Sequence, residues 1–357
     1  MKEKIIVGIL CLMLLVPLFS VAEQITEKET YKKNNEIRPL FLDDADVPVW
    51  EVGDSWTYSI EAMQFIIDEN VSEEFTIIIN AQFDDFTLEV SDISGDSYKV
   101  SILETIINGD FLVETDLGEG PIEILGILEN TKLNGYLIFN KNDLGIQHFF
   151  GEIDGRISIN ILKQPYINVS VFPKIPVPMQ IKLDVDLMDT ALPIIQFPLN
   201  ESGQTWGLPA LNISIDGTIE SIWFRIFNFI NQKIRQWNLI PPIAKLLQTN
   251  PAELQKISDI MDDILPIINI KHVLGEYLNI PNVFSIPEIP ADFFYCDNIV
   301  EVTVPAGTFE AYEINIVGEI ATLYYSPEVK NIIKIEGVFK DVLPFLTNIN
   351  AELVSYS

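Results

Sequence analysis

Cysteine and histidine are almost absent from this chain, and each scarcity removes a class of chemistry. There are two cysteines, Cys11 and Cys296. Cys11 lies in the amino-terminal apolar run, so once that run is removed Cys296 stands alone and no intramolecular disulfide can form. The two histidines, His148 and His272, are too few for a Cys/His zinc site. A Cys296–histidine nucleophile pair exists on paper, but a lone cysteine is most often a small core side chain. Positive charge is also short. Lys and Arg number 22 against 52 Asp and Glu, a net charge of −30. Such a surface repels nucleic acid and anionic headgroups, which removes nucleic acid from the expected partners.

What is present begins with an export signal. Lys2 and Lys4 precede an apolar run from Ile5 to Phe19, and Ser20-Val21-Ala22 supplies a signal-peptidase site. The expected mature chain starts at Glu23 and is released outside the cell or held at its surface. Cys11 follows Ile9-Leu10 rather than a small residue, so no lipid anchor is expected there, and the polar end from Asn350 to Ser357 predicts no tail anchor. Residues Glu23 to Asp46 read as a mobile polar leader. With 48% hydrophobic residues the remainder can bury a large core.

From Val47 the texture is β. Apolar and polar residues alternate over Trp56–Ala62, Glu74–Ala81, Phe86–Ser91, Ser97–Glu104 and Phe111–Thr115, then over Tyr136–Asn140, Ile146–Ile153, Arg156–Leu162 and Gln180–Leu187. Ser94-Gly95-Asp96, Asn108-Gly109-Asp110 and Asp154-Gly155 read as hairpin turns between them. Prolines recur between Pro165 and Pro209, which suits edge strands. β-type sequence resumes over Ile299–Val304, Thr308–Val317, Ile320–Tyr325, Ile332–Phe339 and Ala351–Tyr356.

Between these halves, residues 221–278 read as helical. Trp223, Ile226, Phe227, Ile230, Ile234 and Trp237 fall at helical spacing. A second helix has Asn250 as cap, Pro251 at its first position, Glu253 closing a capping box and Pro266 as its stop. Its apolar face is Leu254, Ile257, Met261 and Ile264, and a shorter helix is predicted over Lys271–Leu278. The expected fold is therefore mainly β: one domain, 47–357, whose large curved antiparallel sheet packs on inserted α-helices.

Four local patterns stand out. They are Trp50-x-x-Gly53-Asp54-x-Trp56-x-Tyr58, Phe197-Pro198-Leu199-x-x-Gly203-x-x-Trp206, Val304-Pro305-Ala306-Gly307-Thr308-Phe309, and Tyr324-Tyr325-Ser326-Pro327-Glu328-Val329 leading into Ile333-Lys334. Read singly they are turns and core aromatics. Together they resemble uncharacterised secreted archaeal and bacterial proteins that share the first and third patterns. They also look like the half-barrel of lipoprotein carriers, a resemblance that implies a concave sheet closed by helices and accepting acyl chains.

The functional expectation is a non-catalytic exported protein with an apolar or lipid-like ligand held between sheet and helices. The candidate contacts are Trp223, Phe227, Ile230, Ile234, Trp237, Leu254, Ile257 and Met261. The competing readings are a hydrolase using paired carboxylates, with Asp184 and Asp186 on one strand face as candidates, and a structural envelope component associating through sheet edges. Gly53-Asp54-Ser55 is not an esterase serine block, since no Asp-x-x-His follows late in the chain and no Gly-x-Ser-x-Gly elbow occurs. No cofactor or dedicated metal site is expected; acidic pairs such as Asp84-Asp85 would take calcium only adventitiously. Asn70, Asn168, Asn200 and Asn212 head glycosylation sequons.

Overall fold

The computed structural model describes residues 44–70, 74–116, 121–163, 175–188, 190–200, 203–242, 251–252, 255, 267–269, 283–316, 321–337 and 346–357. The expected export signal and most of the expected leader lie outside them. The chain is mainly β, and a single antiparallel sheet of fifteen strands dominates it. In chain order these are β1 (Ser55–Asn70), β2 (Glu74–Ser94), β3 (Ser97–Asp116), β4 (Pro121–Asn140), β5 (Ile146–Lys163), β6 (Ile175–Met188), β7 (Gln204–Leu208) and β8 (Leu211–Glu220), followed by helix α1 (Ile222–Gln236). Then come β9 (Ile267–Asn269), β10 (Val283–Ile286), β11 (Ile289–Val304), β12 (Gly307–Ile316), β13 (Ala321–Ser326), β14 (Asn331–Gly337) and β15 (Leu346–Tyr356). The spatial order is β10-β8-β6-β5-β4-β3-β2-β1-β15-β14-β13-β12-β11-β7, with β9 against β8. Strands from both sides of residues 221–278 thus share one sheet.

The two ends of that order meet. β7 lies at one end and β8 beside the other, yet only Pro209 and Ala210 separate them, which limits Leu208 and Leu211 to about 11 Å. The ladder also runs through the corner. Ile286 pairs with Leu211 and Ile289 with Leu208, three residues further along each strand, so the register is unbroken from β10/β8 into β11/β7. The sheet is a curved trough that closes on itself at this corner.

β2 has 21 residues, and at about 3.3 Å per residue it reaches about 70 Å. A flat sheet that long is not stable alone, and these strands bend. Register shifts fall at Ile60/Met63 against β2, at Ile102/Thr105 and Ile107/Gly109 between β3 and β4, and at Glu129/Lys132 between β4 and β5. Asp85 on β2 takes a positive φ of 50° in the same zone. Each bulge bends its strand and increases local twist, so the row makes a crease across the sheet.

Two expected turns are corrected by this crease. Asn108-Gly109-Asp110 and Asp154-Gly155 do not reverse the chain; both lie inside strands paired on either side. Their glycines are there for close approach. A Cβ on Gly155 would sit 2.6 Å from the Cα of Thr131, and one on Gly109 would run into the Asn80 carbonyl. The short runs read separately on either side of these glycines therefore fuse into β3 and β5, and those on either side of Asp84-Asp85 into β2. Ser94-Gly95-Asp96 is a real hairpin turn, with Gly95 at φ 53°.

β6 contains Pro176 and Pro178, yet it lies between β5 and β8. The prolines face β5 only, because pairing with β8 runs from Gln180 to Met188. That stretch of β6 is locally an edge, where a missing N–H is tolerated. Pairing begins at Ala45, earlier than the expected start of packing: its backbone exchanges hydrogen bonds with Leu199, and both side chains are buried.

The core fills the trough. Val90, Leu137, Val185, Ile213, Ile333 and Leu353 are completely buried, and they come from strands all round the sheet. Helix in residues 221–278 is seen as α1, at 240–242 and at 251, 252 and 255. Strand β9 lies within that segment, just after Pro266. The Lys271–Leu278 expectation falls outside the described residues.

Candidate functional site

The four sequence patterns converge on one end of the trough. The indole N–H groups of Trp50 and Trp56 donate to the Lys330 and Val329 carbonyls at 3.0 and 2.9 Å, and the Tyr58 hydroxyl donates to the Ile332 carbonyl at 2.8 Å. The first pattern thus clamps the turn that ends the fourth. The third pattern is a tight hairpin between β11 and β12, and the Ala306 N–H at its tip donates to the Leu353 carbonyl. The second belongs to a strap, residues 190–200, held at one end by Leu192 against Ile146 and at the other by Leu199 against Ala45. Phe197 of the strap meets Tyr325 edge-on at 5.3 Å, and Trp206 donates to the Ile194 carbonyl while stacking on Phe294.

Beneath this strap lies a cavity of about 60 Å³, lined among others by Trp50, Trp56, Tyr58, Phe139, Phe197 and Tyr325. The polar ring groups of Trp50, Trp56 and Tyr58 already have carbonyl partners, and apart from Tyr325, Lys330 and Asn331 the wall is apolar. An apolar cavity of roughly 150 Å³ takes benzene, and this one is less than half that size. The interior at this end is a packed core with a small void.

Helix α1 is different. Ser221, just before it, donates to the Pro178 carbonyl and pins its start to β6. Its end is a Schellman motif: Asn238 takes a φ of 50°, its N–H donates to the Arg235 carbonyl, and the Leu239 N–H donates to the Ile234 carbonyl. At 100° per residue the apolar side chains from Phe229 round to Phe227 span an arc of about 160°. One side of that arc is open to solvent. Ile226, Phe229, Ile230 and Trp237 are exposed, at 38, 61, 45 and 65%. Lys233 lies among them with its ammonium 5.5 Å from the Phe229 ring centre. The helix has Arg225, Lys233 and Arg235 and no acidic residue.

Of the residues expected to contact a ligand, the structure thus places Ile230 and Trp237 at the surface and Ile234 half-buried on α1. The side chains of Trp223, Phe227, Leu254, Ile257 and Met261 lie outside the described residues. Phe229 was not among the expected contacts, although its spacing from Ile226 and Lys233 puts it on the same stripe. The signal was in the periodicity, masked by centring the apolar arc on Trp223 and Phe227.

Comparison with known protein families, with characterised proteins and with solved structures found no match. The remaining catalytic candidates lie apart from the strap. Cys296 is wholly buried in the core, whereas His148 lies on the outer face of β5, stacked on Tyr136 and 3.6 Å from Asp184. Asp184 faces Asp216 directly across β6 and β8, with its side chain half-exposed, and neither borders the cavity. Among the described residues no three His, Cys, Asp or Glu side chains gather to hold a metal ion, and no helix is long and apolar enough to cross a membrane. Asn212 is exposed and accepts a hydrogen bond from Ser285; Asn200 is half-buried at the end of the strap. Asn168 and the Asn70 side chain lie outside the described residues.

Proposed function

We propose that this is an exported, non-catalytic protein of the cell surface or its surroundings that binds an apolar, lipid-like molecule at the helical segment beside the sheet. One observation carries this reading. On one side of the apolar arc of α1, Ile226, Phe229, Ile230 and Trp237 stand in water. Covering those side chains would contribute on the order of 5 kcal/mol before ordering costs, at about 25 cal/mol per Å². Isolated exposed apolar residues are ordinary; two aromatics and two isoleucines on one helical stripe are a patch, and patches of this kind mark interaction surfaces. The resemblance to half-barrel carriers points the same way, although the small void under the strap moves the expected ligand away from the trough interior to the helical side.

The test is native mass spectrometry of the secreted chain, combined with titration by a fluorescent fatty acid. Expected are adducts of lipid mass, and a probe affinity that falls when Phe229 and Trp237 are both replaced by serine. A chain free of adducts that also ignores the probe would remove the proposal.

A further inference from the structure

We infer that Asn212 carries an N-linked glycan, and that this glycan covers the outer face and the free edge at the β10 end of the sheet. The inference rests on the export part of the reading above and is independent of the lipid ligand. Asn212-Ile213-Ser214 is one of four sequons, and the fold presents it for modification. Side chains alternate along β8: Leu211, Ile213 and Ile215 are buried, so Asn212 and Ser214 face outward together. Asn212 is exposed, and its Oδ1 accepts a 2.6 Å hydrogen bond from the Ser285 hydroxyl on β10. That bond fixes the amide with Nδ2 on the side away from Ser285, and Nδ2 donates to no described residue. A glycosylated asparagine keeps its carbonyl oxygen and one N–H, so the Ser285 bond survives the modification. Asn200 is a poorer carrier, because it is half-buried beside the wholly buried Leu199 where the strap meets Ala45.

The reaction is a glycosyl transfer. Asn212 Nδ2 displaces phosphate from the anomeric carbon of a lipid-phosphate-linked oligosaccharide. The C1–N bond forms, the C1–O bond to phosphate breaks, the amide gives up one proton to the transferase, and the lipid phosphate leaves. The surroundings give the sugar a role. Met188 lies directly across from Asn212 on β6, Ser285 directly across on β10, and Val283 two residues along β10 on the same face. Met188 and Val283 are 39 and 46% exposed, so apolar side chains flank the amide on both strands, within about 8 Å. β10 is also the last strand in the sheet order, and no described strand pairs with its other side. An edge strand beside exposed apolar side chains is a template for edge-to-edge pairing, and stable proteins cover such edges. A bulky, hydrated sugar rooted one strand in from the edge covers both apolar neighbours and blocks the approach of a second sheet.

The experiment is intact and peptide-level mass spectrometry of the chain purified from the cells that make it and from their medium, beside N212Q, S214A and S214T. The parent is expected to exceed the mass of its mature chain, with the excess on the peptide that holds Asn212. N212Q and S214A are each expected to lose that excess completely, and S214T to keep it, because threonine also completes the sequon. Far-UV circular dichroism and urea midpoints check that the variants fold. S214A leaves Asn212 and its Ser285 bond in place, and in sedimentation velocity it is expected to associate at least about tenfold more readily than the parent. An exported chain starting at Glu23 with no sugar on Asn212, or an excess mass that persists in S214A, overturns the inference and leaves the export reading standing. S214A that loses the sugar yet associates no more than the parent overturns the covering role. A chain kept inside the cell with Met1 to Ala22 intact removes the export reading as well.

Discussion

The Trp56 indole N–H donates to the Val329 carbonyl at 2.9 Å across 273 residues of sequence, and both residues are buried. This bond ties the first strand of the sheet to the turn before β14. Replacing Trp56 by phenylalanine keeps an aromatic ring but leaves a buried carbonyl unpaired, which costs about 1–3 kcal/mol. The guanidinium unfolding midpoint of W56F should fall accordingly. Trp50→Phe removes the equivalent bond to Lys330 from a less buried setting and should cost less. Equal or reversed losses would mean that ring packing, not the hydrogen bond, holds the clamp.

Gly155 and Gly95 look alike in sequence, since each adjoins an aspartate in a polar break, and they behave differently. Gly95 turns a hairpin at φ 53° with open space around it, so alanine there meets only backbone strain, about 1 kcal/mol. Gly155 is extended within β5, and a Cβ would press on the backbone of Thr131, forcing strands apart at a cost of about 2–3 kcal/mol. G155A should therefore lower the unfolding midpoint more than G95A. The opposite ranking would restore the turn assignment at Asp154-Gly155.

That contrast shows where the sequence was readable. Period-two alternation located part of eleven of the fifteen strands and missed β7 to β10; it works where inward and outward positions differ in burial, as along the half-exposed strands β12 and β13. Glycine is ambiguous, since it serves both turns and close contacts, and only the partner strand decides between them. That is why β3 and β5 were read as broken pieces, whereas β2 was broken at the polar Asp84-Asp85 pair, where the strand bends. Closure of the sheet at Pro209 was also illegible, because it depends on β7 and β8 joining opposite ends. On α1 the period revealed an amphipathic helix, but no period tells which part of a wide apolar arc meets protein and which meets water.

Stability should fall on the alkaline side. Burial raises the Tyr58 and Tyr325 hydroxyls well above their ordinary value of 10.0, and Tyr312 adds to the effect at Tyr325. Burial alone would lower Lys334, but hydrogen bonds and charge from Glu336 and Glu352 outweigh it and raise it above 10.5. In each case the folded chain holds its proton at pH values where the unfolded chain has released it. The unfolded state then binds fewer protons, and stability declines as pH rises above about 10. Lysine's contribution is intact below its unfolded value and disappears through the raised one. Urea midpoints at about pH 9 and pH 11 should show this decline, and it should be shallower in Y58F and in K334M. A parallel decline in all three proteins would assign it to other groups.

Phe197 tests whether the strap merely seals the core or guards a space. Its ring meets Tyr325 edge-on and lines the void beneath residues 190–200. Because it is only partly buried, truncation to alanine should cost about 2 kcal/mol, below the ~3–5 kcal/mol of a fully buried phenylalanine. The room released adds to about 60 Å³ already present. An enlarged dry cavity of that kind binds small apolar molecules such as benzene or xenon when the surrounding strands do not collapse into it. Benzene should then raise the thermal midpoint of F197A and leave the parent chain unchanged. A midpoint raised in both would show that the strap already opens enough to admit a ligand, and the trough interior would become a binding site alongside α1. No shift in either would mean that the β1 and β14 side chains around Trp56 and Ile332 close the gap, making this end of the barrel an adaptable core.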